Sequence, residues 1–178
     1  MKREDAFYYK HLLLLGFSDG YDERLDCHLK EENPLSDVTL ELALCGSDMK
    51  KTVSVLHNYC IGQRFDETVS HDKLRLFFKD AYYSDRMSKK EVISAMHRLA
   101  SNIHGDGYDS KLWDTMFDLD YYLALAEDGV IQREIFDFAF FSYLDNGTPL
   151  DPKLIWKNNN KKKPSFIEII RRLLKRNQ

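Results

Sequence analysis

The chain is 178 residues long, 43% apolar and 31% charged, with a net charge of −3. A domain of that length buries roughly 70% of its unfolded surface in one core, and the composition excludes intrinsic disorder and a continuous coiled coil. The aliphatic run Leu12 to Leu15 follows Lys2, Arg3, Glu4, Asp5 and Lys10 and falls far short of the ~20 residues of a membrane span, so the chain is read as cytoplasmic with no membrane partner.

The predicted elements are all helices. Asp5 to Leu15 and Asp19 to Glu31 form the first two, separated by Gly16 to Ser18. Asn33-Pro34 puts proline in the first turn of a third helix, which carries Val38, Leu40, Leu42 and Leu44 and stops at Cys45-Gly46. Ser47 or Asp48 caps a fourth, with Val53, Leu56 and Tyr59 or Cys60 at three- and four-residue spacing. These two read as an αα-hairpin. Asp66 opens a fifth helix lined by Val69, Leu74, Phe77, Phe78 and Ala81.

Ser88-Lys89-Lys90-Glu91 is a capping box for a sixth, with Val92, Ile93, Met96 and Leu99 as its apolar row. After His104-Gly105-Asp106-Gly107, a seventh helix spans about Ser110 to Glu127 around Leu112, Met116, Leu119 and Leu123. An eighth runs from about Ile131 to Asp145 and stops at Asn146-Gly147-Thr148-Pro149. Its apolar content, with Ile135, Phe136, Phe138, Ala139, Phe140 and Leu144 close together, predicts cover on nearly all sides and burial of both Phe138 and Phe140. No stretch sustains a period of two with β-branched residues, so no major sheet is expected.

The fold class is therefore all-α, a single irregular bundle of eight or nine helices, with stacked helical hairpins as a variant. Its expected organisation is a globular domain over 1–156, a polar linker over 157–164 and a basic C-terminal helix over 165–178. Cys27, Cys45 and Cys60 contain no Cys-x-x-Cys pair, and each sits in a helical apolar pattern that predicts a reduced, buried thiol.

Catalytic patterns are sparse. Walker, Rossmann, zincin and nucleophile-elbow motifs are absent, and no catalytic residue, metal or cofactor is assigned. The dipeptide His71-Asp72 matches the adjacent His and Asp ligands of helical HD-type metal phosphohydrolases, with His57 and Asp118 available to complete a set. A chain this rich in Asp also produces such a pair by chance. His57 and Cys60 stand three apart, as two ligands on a helix do, and no second pair matches them. Aligning Gly107 with the fixed glycine of a calcium loop puts Trp113 where the bidentate Glu is required, and this excludes that loop.

Charge is the more informative pattern. From Asp106 to Asp151 there are eleven carboxylates against two cations, Lys111 and Arg133, whereas Lys153 to Gln178 holds nine cations against Glu168 alone. Such asymmetry speaks to partners rather than to fold. On a helical wheel Asp114, Asp118, Tyr121 and Asp128 fall in one narrow stripe, and Glu134, Asp137, Phe141 and Asp145 fall in another. An aromatic among carboxylates suits a surface that receives a basic partner: the ring supplies contact area and the charges steer. These eight residues are the candidate partner-binding set.

Two further readings exist. The basic tail lies against the acidic segment, or it contacts nucleic acid through Lys161, Lys162, Lys163, Arg171, Arg172, Lys175 and Arg176. A neighbouring acidic region that repels phosphate argues against the second.

The acidic stripes over residues 106–151, the size and the missing catalytic motifs together resemble bacterial immunity proteins, which neutralise nuclease or other toxins by covering a basic active site with acidic helices. The resemblance implies a non-catalytic, toxin-inhibiting module with a basic protein partner. It carries no residue role across position by position, and it leaves the oligomeric state open.

Overall fold

The structure is a computed structural model that describes residues 1–108 and 110–159. Over these residues it is all-α, with nine helices and no strand: α1 (Arg3–Leu15), α2 (Tyr21–Glu31), α3 (Asp37–Cys45), α4 (Met49–Cys60), α5 (Glu67–Tyr83), α6 (Lys89–Gly105), α7 (Ser110–Glu127), α8 (Arg133–Asn146) and α9 (Pro152–Asn159). The expected basic helix over 165–178, and residues 160–164 of the expected linker, lie outside the described residues.

Local signals set most boundaries. At the start of α6 the Ser88 hydroxyl accepts from the Glu91 N–H at 3.3 Å, and the Ser88 N–H donates to the Glu91 carboxylate at 2.8 Å. The Asp66 and Asp48 carboxylates cap α5 and α4 in the same sense. Gly16 takes a left-handed conformation, φ 90°, and its N–H returns to the Leu12 and Leu13 carbonyls, which satisfies carbonyls that the helix end would leave unpaired. Pro34 does not enter α3 as expected: Ser36 is the N-cap, and the proline sits in the preceding loop. The ninth helix is unforeseen. Asp151 accepts from the Lys153 N–H at 2.9 Å, with Pro152 as the first helical residue, a favourable start that carries Lys157 and Asn158 into a helix rather than a linker.

The residue contacts gather the chain into two compact units, Met1–Asp120 and Tyr121–Gln178, with the division inside α7. In the first unit α1 is central, packing on α4, α5 and α6, while α3 packs on α2 and α4. The core is built from Ala6, Phe7 and Leu12 of α1, Leu56 of α4, Phe78 of α5 and Met96 of α6, all fully buried. Phe7 anchors an aromatic cluster, with Phe65 and Tyr108 at 5.0 Å and Trp113 at 5.9 Å between ring centroids.

The same helix also buries Asp5, Lys10 and His11. Buried charge is tolerated when paired, and here it is. Asp5 accepts from Arg24 at 2.8 Å and from Lys73, and Lys10 pairs with Asp106. Burial pushes the Asp5 carboxyl up, but the Lys73 and Arg24 bonds outweigh it and hold the pKa below the usual range. His11 has no hydrogen-bond partner on either ring nitrogen among the described residues. Burial first, then the charges of Lys10 and His57, lower its pKa far enough to keep it neutral.

Several expected core positions are solvent-facing. Leu40, Leu44 and Val69 are exposed, and Cys27 is exposed whereas Cys45 and Cys60 are buried. The largest correction is in the second unit. Phe136, Phe140, Tyr143 and Leu144 of α8 are buried as a helix-spaced row, but Phe138 is 76% exposed. Each residue advances the helix by about 100°, so a ring two positions from a buried ring faces the opposite way. α8 is therefore covered on one side, not on nearly all.

Candidate functional site

The candidate residues divide between the two units. In the first, Asp114 is exposed near the start of α7, with His104 Nε2 3.9 Å from its carboxylate. Asp118, one turn on, is half-buried, and burial followed by the charge of Asp114 raises its carboxyl pKa while His104 works the other way. Burial and a like charge both disfavour the ionised Asp118 carboxylate, a cost that an incoming cation offsets. In the second unit Tyr121 is 58% exposed, edge-on to the buried Tyr122 at 5.3 Å. Asp128, just beyond the end of α7, is exposed.

On α8 Glu134 is exposed, and Asp137, Phe141 and Asp145 are half-buried. Asp137 is ion-paired with Arg133 at 3.3 Å, and the Arg133 guanidinium also lies over the Phe136 ring at 5.7 Å. Phe141 packs edge-on against the buried Phe140, 5.2 Å between centroids. Asp145 sits in the last turn of α8, which contains no basic residue. A carboxylate at that end opposes the helix dipole, so this charge is placed against the helix's own interest.

Phe138 stands on the surface, contrary to its expected burial. With Ile135 and Ala139 of α8, the Thr148–Asp151 turn and Leu154 and Ile155 of α9, it lines an apolar groove of about 270 Å³. Among the described residues that line it, Asp151 alone is charged. The available signal was the spacing of Phe136, Phe138 and Phe140, which a helix cannot bury on a single side.

The enzymatic candidates do not assemble. His71 is buried edge-on to Trp113 at 5.1 Å, with Nδ1 3.6 Å from the exposed carboxylate of Asp72. Burial lowers its pKa, against the pull of Asp72. Among the described residues no three His, Cys, Asp or Glu side chains gather as a metal would need, so His57 and Asp118 do not complete a set with His71 and Asp72. Cys60 is fully buried and its thiol donates to the Arg3 carbonyl at 3.8 Å. Burial pushes its pKa up to about 11, which leaves a thiol rather than the thiolate that binds metal. His57 instead faces Asp106 at 4.0 Å.

Among the described residues no helix is long and apolar enough to cross a membrane. Comparison of the chain with protein-family models, curated proteins and solved structures finds no match.

Proposed function

We propose that the chain is a non-catalytic binding module that receives a basic protein through Asp114, Asp118, Tyr121, Asp128, Glu134, Asp137, Phe141 and Asp145, in the manner of an immunity protein or toxin inhibitor. The observation that carries this reading is Tyr121, 58% exposed on the helix that also bears Asp114 and Asp118. A large amphipathic ring held in water on an acidic helix is the composition of an interface anchor. The metal-phosphohydrolase alternative lacks a third ligand near His71 and Asp72 among the described residues. The nucleic-acid alternative falls on residues 165–178, outside the described region.

The test is kinetic and uses a partner captured on the 178-residue chain. Converting the carboxylates of the set to Asn or Gln slows association and flattens its salt dependence, since steering charges act on encounter. Tyr121→Ala or Phe141→Ala speeds dissociation, at about 2 kcal/mol for a central anchor. A partner whose binding survives both sets of substitutions overturns the proposal.

A further inference from the structure

Apart from the apolar groove of the second unit, a cleft of about 540 Å³ lies within the first unit, between α1, α4 and the end of α6. Its walls follow from helical spacing. Lys50, Val53, Ser54 and His57 stand at i, i+3, i+4 and i+7 on one face of α4, and Lys10 and Leu14 stand four apart on α1. The end of α6 closes the cleft with Asn102, Gly105 and the C-cap Asp106. α1 packs against both α4 and α6, so the walls belong to one packed assembly.

The charges in this cleft are unequally satisfied. Lys10 is 2% exposed, and of the three donors on its ammonium one is taken, by Asp106, among the described residues. A buried ammonium with donors left over is costly until another acceptor completes it. The Asp106 carboxylate, by contrast, is engaged on both oxygens: Oδ2 pairs with Lys10, and Oδ1 faces His57 Nδ1 at 4.0 Å. Lys50 is exposed and makes no ion pair among the described residues. Ser54 and Asn102 add a hydroxyl and an amide to the same lining.

We infer that this cleft binds a small phosphate monoester, its phosphate held by Lys10, Lys50, Ser54 and Asn102 and its organic body set against Leu14 and Val53. The site uses none of the residues proposed to receive the basic protein, so it stands or falls apart from that reading. Two ammoniums against one engaged carboxylate favour an anion of about two charges, and lysine serves phosphate as a point charge. Four donating side chains from three helices match the three terminal oxygens of a phosphate better than the two of a carboxylate. The volume falls within the roughly 300–1,000 Å³ of small-molecule sites. Residues 160–178 carry seven cations against Glu168 alone, so that segment has the sign of the cleft and is not its complement.

The test titrates the 178-residue chain calorimetrically with phenyl phosphate, inorganic phosphate, benzoate and benzylamine. The expected result is saturable one-to-one binding of phenyl phosphate, tighter than inorganic phosphate or benzoate, with benzylamine not binding. Lys50→Gln is expected to weaken it about tenfold, the loss of one charge-assisted hydrogen bond. Gly105→Leu is expected to abolish it by occlusion, because a Cβ at Gly105 meets no atom within 4 Å and a longer side chain extends into the cleft. Both positions are exposed, and Gly105 has no left-handed φ, so melting temperatures stay unchanged or rise. Unchanged binding in either variant overturns the site and points to the basic residues 161–176 instead. Absent saturation by phenyl phosphate overturns it too, as does benzylamine binding in its place, which would make the cleft a cation site of Asp106. Benzoate binding as tightly as phenyl phosphate overturns the phosphate assignment, and inorganic phosphate doing so overturns the seat on Leu14 and Val53.

Discussion

α1 and α8 invert the usual expectation about which helix is hidden. α1 carries Arg3, Glu4, Asp5, Lys10 and His11, yet it lies at the centre of its unit with Asp5, Lys10 and His11 buried. α8 has five aromatic side chains in fourteen residues and leaves one of them, Phe138, in water. The difference teaches that burial follows where an element finds neighbours rather than its apolar content alone. A polar helix is hidden at the cost of pairing its buried charges, whereas an apolar ring two positions from a buried one is turned into water by the helical period.

The sharpest way to break that comparison is within α8 itself. Phe140→Ala, at a fully buried position, is expected to destabilise by about 3–5 kcal/mol. Phe138→Ala is expected to change stability by less than about 0.5 kcal/mol. Urea denaturation midpoints decide, and equal losses at the two positions would mean that Phe138 is a core residue.

The next largest effect concerns the paired charges of α1. Lys10 is 2% exposed and held by Asp106, so Asp106→Asn strands a buried ammonium. A fully enclosed pair costs about 3–5 kcal/mol to break, and with Asp106 partly open to solvent about 2–3 kcal/mol is expected. The double variant Lys10→Met with Asp106→Leu should recover most of it, because apolar replacement of both partners is near neutral. Failure to recover would show that the pair organises more than its own desolvation.

His11 gives a smaller, pH-dependent effect. Its folded-state pKa is lowered, so the unfolded chain takes up a proton that the folded one refuses. Stability is complete above about pH 6.5 and falls as the pH drops below it, by at most ~1.4 kcal/mol per pH unit for one group. His71 is lowered in the same direction and adds to the slope. Thermal melts between pH 7 and 5 should therefore show a shallower decline in His11→Leu than in the parent, and identical slopes would mean that His11 is charged in the fold. Asp5 acts lower on the scale: its depressed pKa makes its contribution full above about pH 4, with loss only as the pH falls further.

The smallest perturbation is chemical. Of the three cysteines, Cys27 is exposed while Cys45 and Cys60 are buried. A maleimide reagent should label one thiol in native protein and three after unfolding, and rapid native labelling of more than one would contradict the packing of α3 or α4.

What the sequence by itself determined is what lies within about four residues of each position. The Ser88–Glu91 capping box, the glycine ends and the apolar row Val92, Ile93, Met96 and Leu99 fixed α6 from a short window, and all four of that row are buried. The segregation of charge between residues 106–151 and 153–178 was likewise plain. The Asp151-Pro152 start of α9 is equally local, although the polar run that follows it reads as a linker. Tertiary structure decided the rest, because the deciding partners are distant in the chain. Lys10 is buried by virtue of an aspartate 96 residues away, and Asp5 by a lysine 68 residues away. No periodicity encodes such pairs. Phe138 was misplaced for the converse reason: its composition matched a core helix, and only the side on which α8 found neighbours settled that the ring faces water.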